Sequence, residues 1–289
     1  MAVSELLAVG SAGCTAGSIM LLGQASGKLG VYRSARLQLG SAFVMTALIA
    51  VLVTGWKTPE PWQIGFLGAS SFFGMVVGNL AYNATILSVG PRLTALLFSL
   101  TSPFSLVLGY LLLGETITLW QLLGVATVLV GIVLAVGPVR SVGKGLPLTG
   151  LGLGVLTALV QALGMLCARP VMASGVAPFV ATTVRAGFAA AVFIGMTPVM
   201  WRRGGGETVG LVPVLQVSAS SFLGIVVGMS LMMAALAQGH VGLVTTLAAT
   251  VPVVILPMIW IVTGKAPAPM AWAGALLSAI GTAVISLAG

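Results

Sequence analysis

Apolar runs alternate with short polar breaks along the whole chain. Each run is about 20 residues long, enough to cross roughly 30 Å of hydrocarbon as an α-helix. The breaks are rich in proline, glycine and charged residues, as at 57–61 (KTPEP), and tryptophans stand at several run ends. The pattern predicts an all-α integral membrane protein with ten transmembrane helices, over residues 4–25, 32–54, 63–87, 91–113, 117–137, 148–168, 177–200, 211–237, 241–263 and 268–288.

The chain contains an internal duplication. Residues 69–78 read ASSFFGMVVG and residues 219–228 read ASSFLGIVVG, so eight of ten positions are identical at an offset of 150 residues. We therefore predict a first five-helix repeat at 1–139 and a second at 145–289. Because each copy has an odd number of spans, the second copy enters the membrane from the opposite side, which makes the repeat an inverted one. The same offset relates three spaced glycines, Gly114, Gly124 and Gly131, to Gly264, Gly274 and Gly281.

The composition supports a membrane protein and narrows its function. Of 289 residues, 58 % are hydrophobic and 6 % are charged, and the mean hydropathy is +1.17, whereas a soluble protein has about 25 % charged residues. The net charge of +8 comes from scattered lysines and arginines without a basic stripe, so we expect no nucleic-acid partner. Their distribution places both termini away from the cytoplasm. The sequence contains no Walker motif, catalytic carboxylate pair or metal-ligand pattern, so we expect no enzyme activity, metal or cofactor.

The acidic residues restrict the possible cargo. The four of them, Glu5, Glu60, Glu115 and Glu207, all fall at predicted helix ends or in loops. No carboxylate is therefore placed at mid-membrane depth to bind a cation or relay a proton. This argues against the exchange of a cationic drug for protons. It favours a neutral or zwitterionic solute, or an anion held by arginine.

The fourth predicted helix contains a recognisable sequence signature. Residues 99–103 read SLTSP, residues 111–115 read LLLGE, and the spaced glycines Gly124 and Gly131 follow. With its two five-helix halves, the chain resembles the EamA type of the drug/metabolite transporter superfamily. The second half departs from the pattern, with Gly264-Lys265 where Gly-Glu is usual. The resemblance implies a central cavity formed mainly by helices 1, 3, 4, 6, 8 and 9, with helices 5 and 10 as outer packing elements. It does not specify the solute, because members move amino acids, sugars, nucleotide-sugars or drugs.

The repeated decapeptides place small residues at every fourth position. The third predicted helix has Ser70, Gly74 and Gly78, and the eighth has Ser220, Gly224 and Gly228. Small residues at this spacing share one helix face and let backbones approach closely. We expect tight packing there, which is compatible with a surface that slides during transport.

Polar side chains continue the third helix on one face. Asn79, Tyr82 and Asn83 are spaced i, i+3 and i+4, and at the same offset the eighth helix has Met229, Met232 and Met233. One interpretation is a substrate cavity with a polar vestibule and an apolar, adaptable end. The alternative is interhelical hydrogen bonding by the amides and space filling by the methionines.

Two prolines at mid-membrane depth are candidate hinges. Pro103 and Pro252 should bend the fourth and ninth helices, and inverted-repeat transporters bind substrate at such bends. The hydroxyl residues near them are substrate-binding candidates or only bond back to their own helices; they are Thr101, Ser102, Thr245 and Thr246.

Gln161 and Arg185 are further polar residues inside predicted spans. Gln161 is a candidate substrate-binding residue. Arg185 either reaches out to the membrane surface, which the distance to Trp201 favours, or contacts an anionic group of the substrate.

These observations predict a secondary transporter in a bacterial-type inner (plasma) membrane. It would move a small amphiphilic metabolite by alternating access, with amino acids as the first candidates and export as the direction. Its partners would be the solute and the lipid bilayer, and the sequence leaves a monomer and a homo-oligomer both open. The alternative function is a lipid-handling or flippase-like protein, for which Arg33, Arg36 and Arg92 would supply headgroup contacts.

Overall fold

The described part of the protein is almost entirely helical, with short non-helical connections and no strand. The computed structural model describes residues 2–114, 116–136, 147–201, 210–231 and 250–287. The α-helices are α1 (Ala2–Ile49), α2 (Pro61–Ser71), α3 (Gly78–Phe98), α4 (Thr101–Leu113), α5 (Leu119–Val136), α6 (Leu148–Ala173), α7 (Pro178–Trp201), α8 (Leu211–Ser221), α9 (Val251–Thr263) and α10 (Pro269–Leu287). Three π-helical segments interrupt them, at Ala50–Thr54, Phe72–Val77 and Phe222–Gly228.

The outer surface of the fold is apolar, as a lipid-facing surface must be. Within the described ranges, five helical stretches are long and apolar enough to cross a membrane. Large apolar side chains point outward along them and along the shorter helices; Leu52, Leu119 and Ile261 are each more than 70 % exposed. In water such a surface would be strongly unfavourable, whereas hydrocarbon solvates it. The chain is therefore a multi-pass membrane protein, and the count of ten crossings stays a prediction.

Two helices run across the boundary between predicted spans: α1 contains the first span and most of the second, and α3 joins the end of the third to the start of the fourth. α1 bends sharply at Gly30, where φ is 72° and ψ is 165°, and α3 bends at Gly90, where φ is 80° and ψ is 169°. Only glycine adopts this backbone region without a large penalty. One glycine therefore replaces the loop expected between consecutive spans.

Substitution of Gly30 tests this backbone requirement. Gly30→Ala is expected to lower the free energy of unfolding by about 1–3 kcal/mol, because an alanine is strained at this φ and ψ. Gly27→Ala is the matched control: neither glycine has a neighbour within 4 Å of an added Cβ, but only Gly30 has a positive φ. Thermal unfolding in detergent compares the two variants. Equal melting temperatures would show that the bend is not part of the native state.

α5 and α10 pack together through their glycines. A Cβ on Gly124 would lie 2.7 Å from the carbonyl oxygen of Gly281, and a Cβ on Gly131 would lie 2.7 Å from that of Gly274. Gly124 therefore meets Gly281 and Gly131 meets Gly274, so in both contacts the paired glycines are not equivalent positions of the two halves. Only hydrogen atoms fit between these backbones, which explains why Gly124, Gly131 and Gly281 are glycines.

Candidate functional site

Both repeated decapeptides adopt π-helical structure. The segments Phe72–Val77 and Phe222–Gly228 occupy equivalent places in the two halves. A π-helical turn inserts a residue into the helix and is found frequently at functional sites. The sequence predicts only an uninterrupted helix here, because hydrophobic periodicity does not distinguish a local π-turn from α-helix.

The second serine of each decapeptide bonds to the other half of the chain. The Ser71 hydroxyl donates to the Arg185 carbonyl oxygen at 2.6 Å, and the Ser221 hydroxyl donates to the Gln38 carbonyl oxygen at 2.7 Å. Ser71 lies in the first half and Arg185 in the second, whereas Ser221 lies in the second half and Gln38 in the first. The two bonds are symmetric counterparts, so Gln38 and Arg185 are equivalent positions in the two halves.

The first serine of each decapeptide also donates to a backbone carbonyl oxygen of the opposite half. The Ser70 hydroxyl donates to the Gly164 carbonyl oxygen at 2.6 Å, and the Ser220 hydroxyl donates to the Ser18 carbonyl oxygen at 2.9 Å. All four serines are fully buried, with 0 % of their surface exposed. Each decapeptide is thus attached to two helical segments of the opposite half by hydroxyl-to-carbonyl bonds. The first is attached to α6 and α7, and the second to the two parts of α1 on either side of the bend at Gly30.

The glycines of the decapeptides allow these bonds to form. A Cβ on Gly164 would lie 2.9 Å from both the Cα and the amide nitrogen of Gly74. A Cβ on Gly228 would lie 3.4 Å from the Thr15 hydroxyl oxygen. The expectation of close packing by the small residues is therefore correct, and their partners are helices of the opposite half.

A chain of polar side chains crosses the contact between the halves. The Asn83 amide donates to the Asn79 amide oxygen at 2.7 Å, and the Asn79 amide donates to the Gln38 amide oxygen at 2.9 Å. The Gln38 amide lies 3.5 Å from the Ser220 hydroxyl, which lies 2.9 Å from the Ser18 hydroxyl. Amides and hydroxyls from α1, α3 and α8 thus form one buried network.

The structure joins two members of the predicted polar trio to this network and separates the third. Asn79 and Asn83 belong to the network, as the interhelical hydrogen-bonding alternative expects. Tyr82 instead packs edge-on against Phe98, with ring centroids 5.9 Å apart, next to the apolar cluster of α1. The sequence analysis missed Gln38, although an amide inside a predicted span is itself a signal.

The predicted thioether and threonine positions are only partly described. Met229 is half-buried. Met232, Met233, Thr245 and Thr246 lie outside the described residues. Their assignment to a cavity stays a prediction.

The two prolines begin helices, whereas the sequence predicts them in the middle of helices. The chain makes a tight turn at Ser99 and Leu100, and α4 then begins two residues before Pro103. Pro252 is similarly the second residue of α9. A proline is well accommodated in a first turn, where its missing N–H has no intrahelical partner to lose. At Pro103 the predicted kink is replaced by a break just before the proline, and Pro252 lies in the first turn of α9.

One hydroxyl beside Pro103 bonds back to a nearby backbone carbonyl, which is the alternative to substrate binding that the sequence leaves open. The Thr101 hydroxyl donates to the Phe98 carbonyl oxygen at 2.7 Å, which bridges the break between α3 and α4. Ser102 is half-buried beside it. Thr101 therefore has a structural role, since it satisfies a carbonyl that the helix leaves open.

Arg185 and Gln161 face the π-helical segment of the first half. The point that a Cβ on Gly74 would occupy lies 3.2 Å from the Arg185 Nη2 and 3.4 Å from the Gln161 Oε1. Arg185 is only 5 % exposed, so the expectation that it reaches out to the membrane surface is wrong. The close approach of α7 to α2, held by Ser71, directs the guanidinium inward.

Both halves of the chain match one known protein family. Residues 2–137 and 148–287 each match the sequence pattern of EamA-like transporters. The chain belongs to the EamA-like transporter family. The family is one of membrane transporters, so the resemblance seen in residues 99–115 is confirmed. This EamA-like protein matches none of the curated proteins.

The fold of this EamA-like protein also has solved counterparts, and 25 solved chains match it. One, described only as the crystal structure of a protein, superposes with a TM-score of 0.67 at 19 % identity. The alignment covers 99 % of this chain and 98 % of that chain. The whole fold, with both halves, is therefore shared with a solved structure.

Proposed function

We propose that this EamA-like protein exports a small amphiphilic metabolite, with amino acids as the first candidates, across a bacterial-type inner membrane. The chain would form ten transmembrane helices in two inverted five-helix repeats, residues 1–139 and 145–289. The two halves would rock about a central cavity and expose it to each side in turn. The polar network between Asn83 and Ser18 carries the proposal, because it lies where the halves meet.

The network is suited to exchange its partners for a substrate. Amides inside a membrane are costly unless they are bonded, so each needs a partner in every state of the cycle. The Gln38–Ser220 contact is long, at 3.5 Å, and Asn79 is half-buried. A zwitterionic solute offers the donors and acceptors that would replace these contacts as the halves separate.

The remaining proposed site residues surround this network or extend it. Gln161 would provide lining beside the π-helical segment of the first half, and Tyr82 would provide lining at its contact with Phe98. The break before Pro103 and the first turn of α9 at Pro252 would act as hinges. Further substrate contacts would come from Thr101, Ser102, Met232, Met233, Thr245 and Thr246.

Flux measurements in proteoliposomes test the proposal. A panel of radiolabelled neutral amino acids should show saturable, competitor-sensitive uptake without a proton gradient, since no acidic residue is placed at mid-membrane depth. Uptake that requires the gradient would contradict the neutral-cargo interpretation. Absence of flux for every amino acid would contradict the assignment of amino acids as cargo.

Asn79→Leu tests the role of the network. We expect transport to fall about tenfold or more, because Gln38 loses a part-buried hydrogen-bond partner, and Asn83 loses its bond to the side-chain amide oxygen of residue 79 while it keeps its bond to the backbone carbonyl of that residue. Gln216→Leu is the matched control, since it breaks an amide–amide bond to Gln24, 3.2 Å long and exposed, outside the network. Equal transport by the two variants, at equal protein levels, would contradict the proposal.

One observation favours the lipid-handling alternative. An apolar groove of about 400 Å³ lies at one end of α6, lined by Phe66, Leu166, Cys167, Arg169, Pro170 and Ala173. An arginine at an apolar groove suits a lipid headgroup above its acyl chains. Scrambling of fluorescent phospholipid in the same proteoliposomes, measured by dithionite quenching, tests this function. Scrambling is expected only if the flux assays show no transport of amino acids.

A further inference from the structure

The Arg185 guanidinium is buried between the two halves of the fold, and no carboxylate of the described residues pairs with it. Its Nε has no hydrogen-bond partner among the described residues, and only 5 % of the residue is exposed. The four acidic residues all fall at predicted helix ends or in loops. A buried guanidinium with an unsatisfied N–H is unfavourable, so it persists where function requires it.

Gln38, the equivalent of Arg185 in the first half, has a side-chain hydrogen-bond partner on the neighbouring helix. Gln38 accepts a hydrogen bond from Asn79 at 2.9 Å. At the offset of 150 residues, the second half has Met229 where the first has Asn79. The counterparts of Gln38 and Asn79 in the second half are thus a cationic side chain, Arg185, and a thioether, Met229. A thioether is at most a weak acceptor and cannot neutralise a guanidinium.

The groups beside Arg185 suit an anion with an apolar body. Gln161 faces the same glycine, Gly74, and its amide supplies both a donor and an acceptor. Gly74 has no side chain, so the guanidinium and the amide can both lie against the π-helical backbone. Met229 offers a soft apolar surface on the equivalent helix.

We propose that Arg185, assisted by Gln161, binds the carboxylate of the transported solute. The inference rests on the proposed transport function and specifies its substrate class as amphiphilic carboxylates, including zwitterionic amino acids. A planar guanidinium and a carboxylate form two parallel hydrogen bonds, which neutralise the buried charge. A lipid headgroup is excluded as the source of the anion, because Arg185 lies inside the contact between the halves and not on the lipid-facing surface.

Ligand-induced stabilisation tests the site without relying on transport. The probes are 4-methylpentanoate and 3-phenylpropanoate, with their uncharged carboxamides as controls. In purified protein, the carboxylates should raise the melting temperature and the carboxamides should not. Arg185→Gln should abolish the shift and Arg185→Lys should keep part of it. Lys57→Gln removes an exposed loop charge and should behave as wild type.

Three outcomes would overturn the proposal. They are a melting temperature that neither carboxylate raises, equal stabilisation by the carboxamides, and a ligand-induced rise in melting temperature that remains in Arg185→Gln. The melting temperature without ligand checks folding: Arg185→Gln should match or exceed wild type, because it removes a buried charge whose Nε has no hydrogen-bond partner among the described residues. Arg185→Lys keeps the test valid if the glutamine variant is unstable.

Transport kinetics separate this inference from the proposed function. For any amino acid that is transported, Arg185→Gln should raise KM about 10- to 100-fold, as expected for a lost charge-assisted hydrogen bond. An unchanged KM would overturn the carboxylate site while amino-acid transport stands. Arg185-dependent stabilisation by the carboxylates without amino-acid flux would instead overturn the proposed cargo and leave the carboxylate site standing.

Discussion

Gly281→Val is expected to lower the free energy of unfolding by about 3 kcal/mol or more. A Cβ at this position would lie 2.6 Å from the carbonyl oxygen of Gly124 and 2.6 Å from the amide nitrogen of Val128. Both are backbone atoms of α5, so no side chain can rotate away to make room. The two helices must separate, and the close packing that replaces the hydrophobic effect inside a membrane is lost.

Size-exclusion chromatography and thermal unfolding in detergent measure this effect. Gly195→Val in α7 is the matched control, because nothing lies within 4 Å of a Cβ there. The control should keep a melting temperature close to wild type. A Gly281→Val protein as stable as the control would mean that α5 and α10 are not paired in the folded protein.

Gly164→Val is expected to abolish most transport by changing the balance between conformations. Its Cβ would lie 2.9 Å from the Cα and amide nitrogen of Gly74 and 3.0 Å from the carbonyl oxygen of Ser70. Overpacking of this kind costs about 1–3 kcal/mol in the conformation that contains the contact. A cost of that size shifts an equilibrium between two access states roughly 5- to 150-fold.

Initial rates of flux in proteoliposomes test the prediction, with Gly152→Val as the control on the same helix. No atom lies within 4 Å of a Cβ on Gly152, and its side faces outward. The control should transport at the wild-type rate. Unimpaired transport by Gly164→Val would show that the contact between α6 and the π-helical segment does not change during the cycle.

The sequence predicted the helical membrane fold because the signal is local and repeated. Hydrocarbon requires every spanning segment to be apolar over its whole length, so composition alone shows where helices run. The duplication was equally readable, since 69–78 and 219–228 still share eight residues. The family assignment followed from the same residues and from the signature at 99–115.

Local backbone geometry was less predictable than helix position. Nothing in the hydrophobic pattern distinguishes Gly30 and Gly90, which have φ of 72° and 80°, from glycines inside straight helices. The π-turns at Phe72–Val77 and Phe222–Gly228 have the same apolar composition as an α-helix. In both cases the conformation depends on how neighbouring helices pack, which is information that a local window does not contain.

Only part of the candidate site could be predicted from the sequence. Asn79 and Asn83 were identified from spacing alone, because two amides on one face of an apolar helix require partners. Their partner Gln38 is 41 residues away along the chain, so only the folded structure could supply it. Arg185 was recognised as a polar residue in a predicted span, but its direction was misjudged from distance along the helix. The Ser71 bond to its carbonyl oxygen places α7 so that the side chain turns inward.

By itself, the sequence determined that this protein is a helical, duplicated membrane transporter of the EamA-like family. Those properties follow from apolar length, repeat identity and motif spacing, each of which is contained in short stretches of chain. Only the tertiary structure decided which helices of one half meet those of the other, and that Gln38 is bonded while its equivalent, Arg185, is buried without a hydrogen bond at Nε among the described residues. The physical reason is that buried polar groups obtain their partners across long sequence separations, and the packing of whole helices selects those partners.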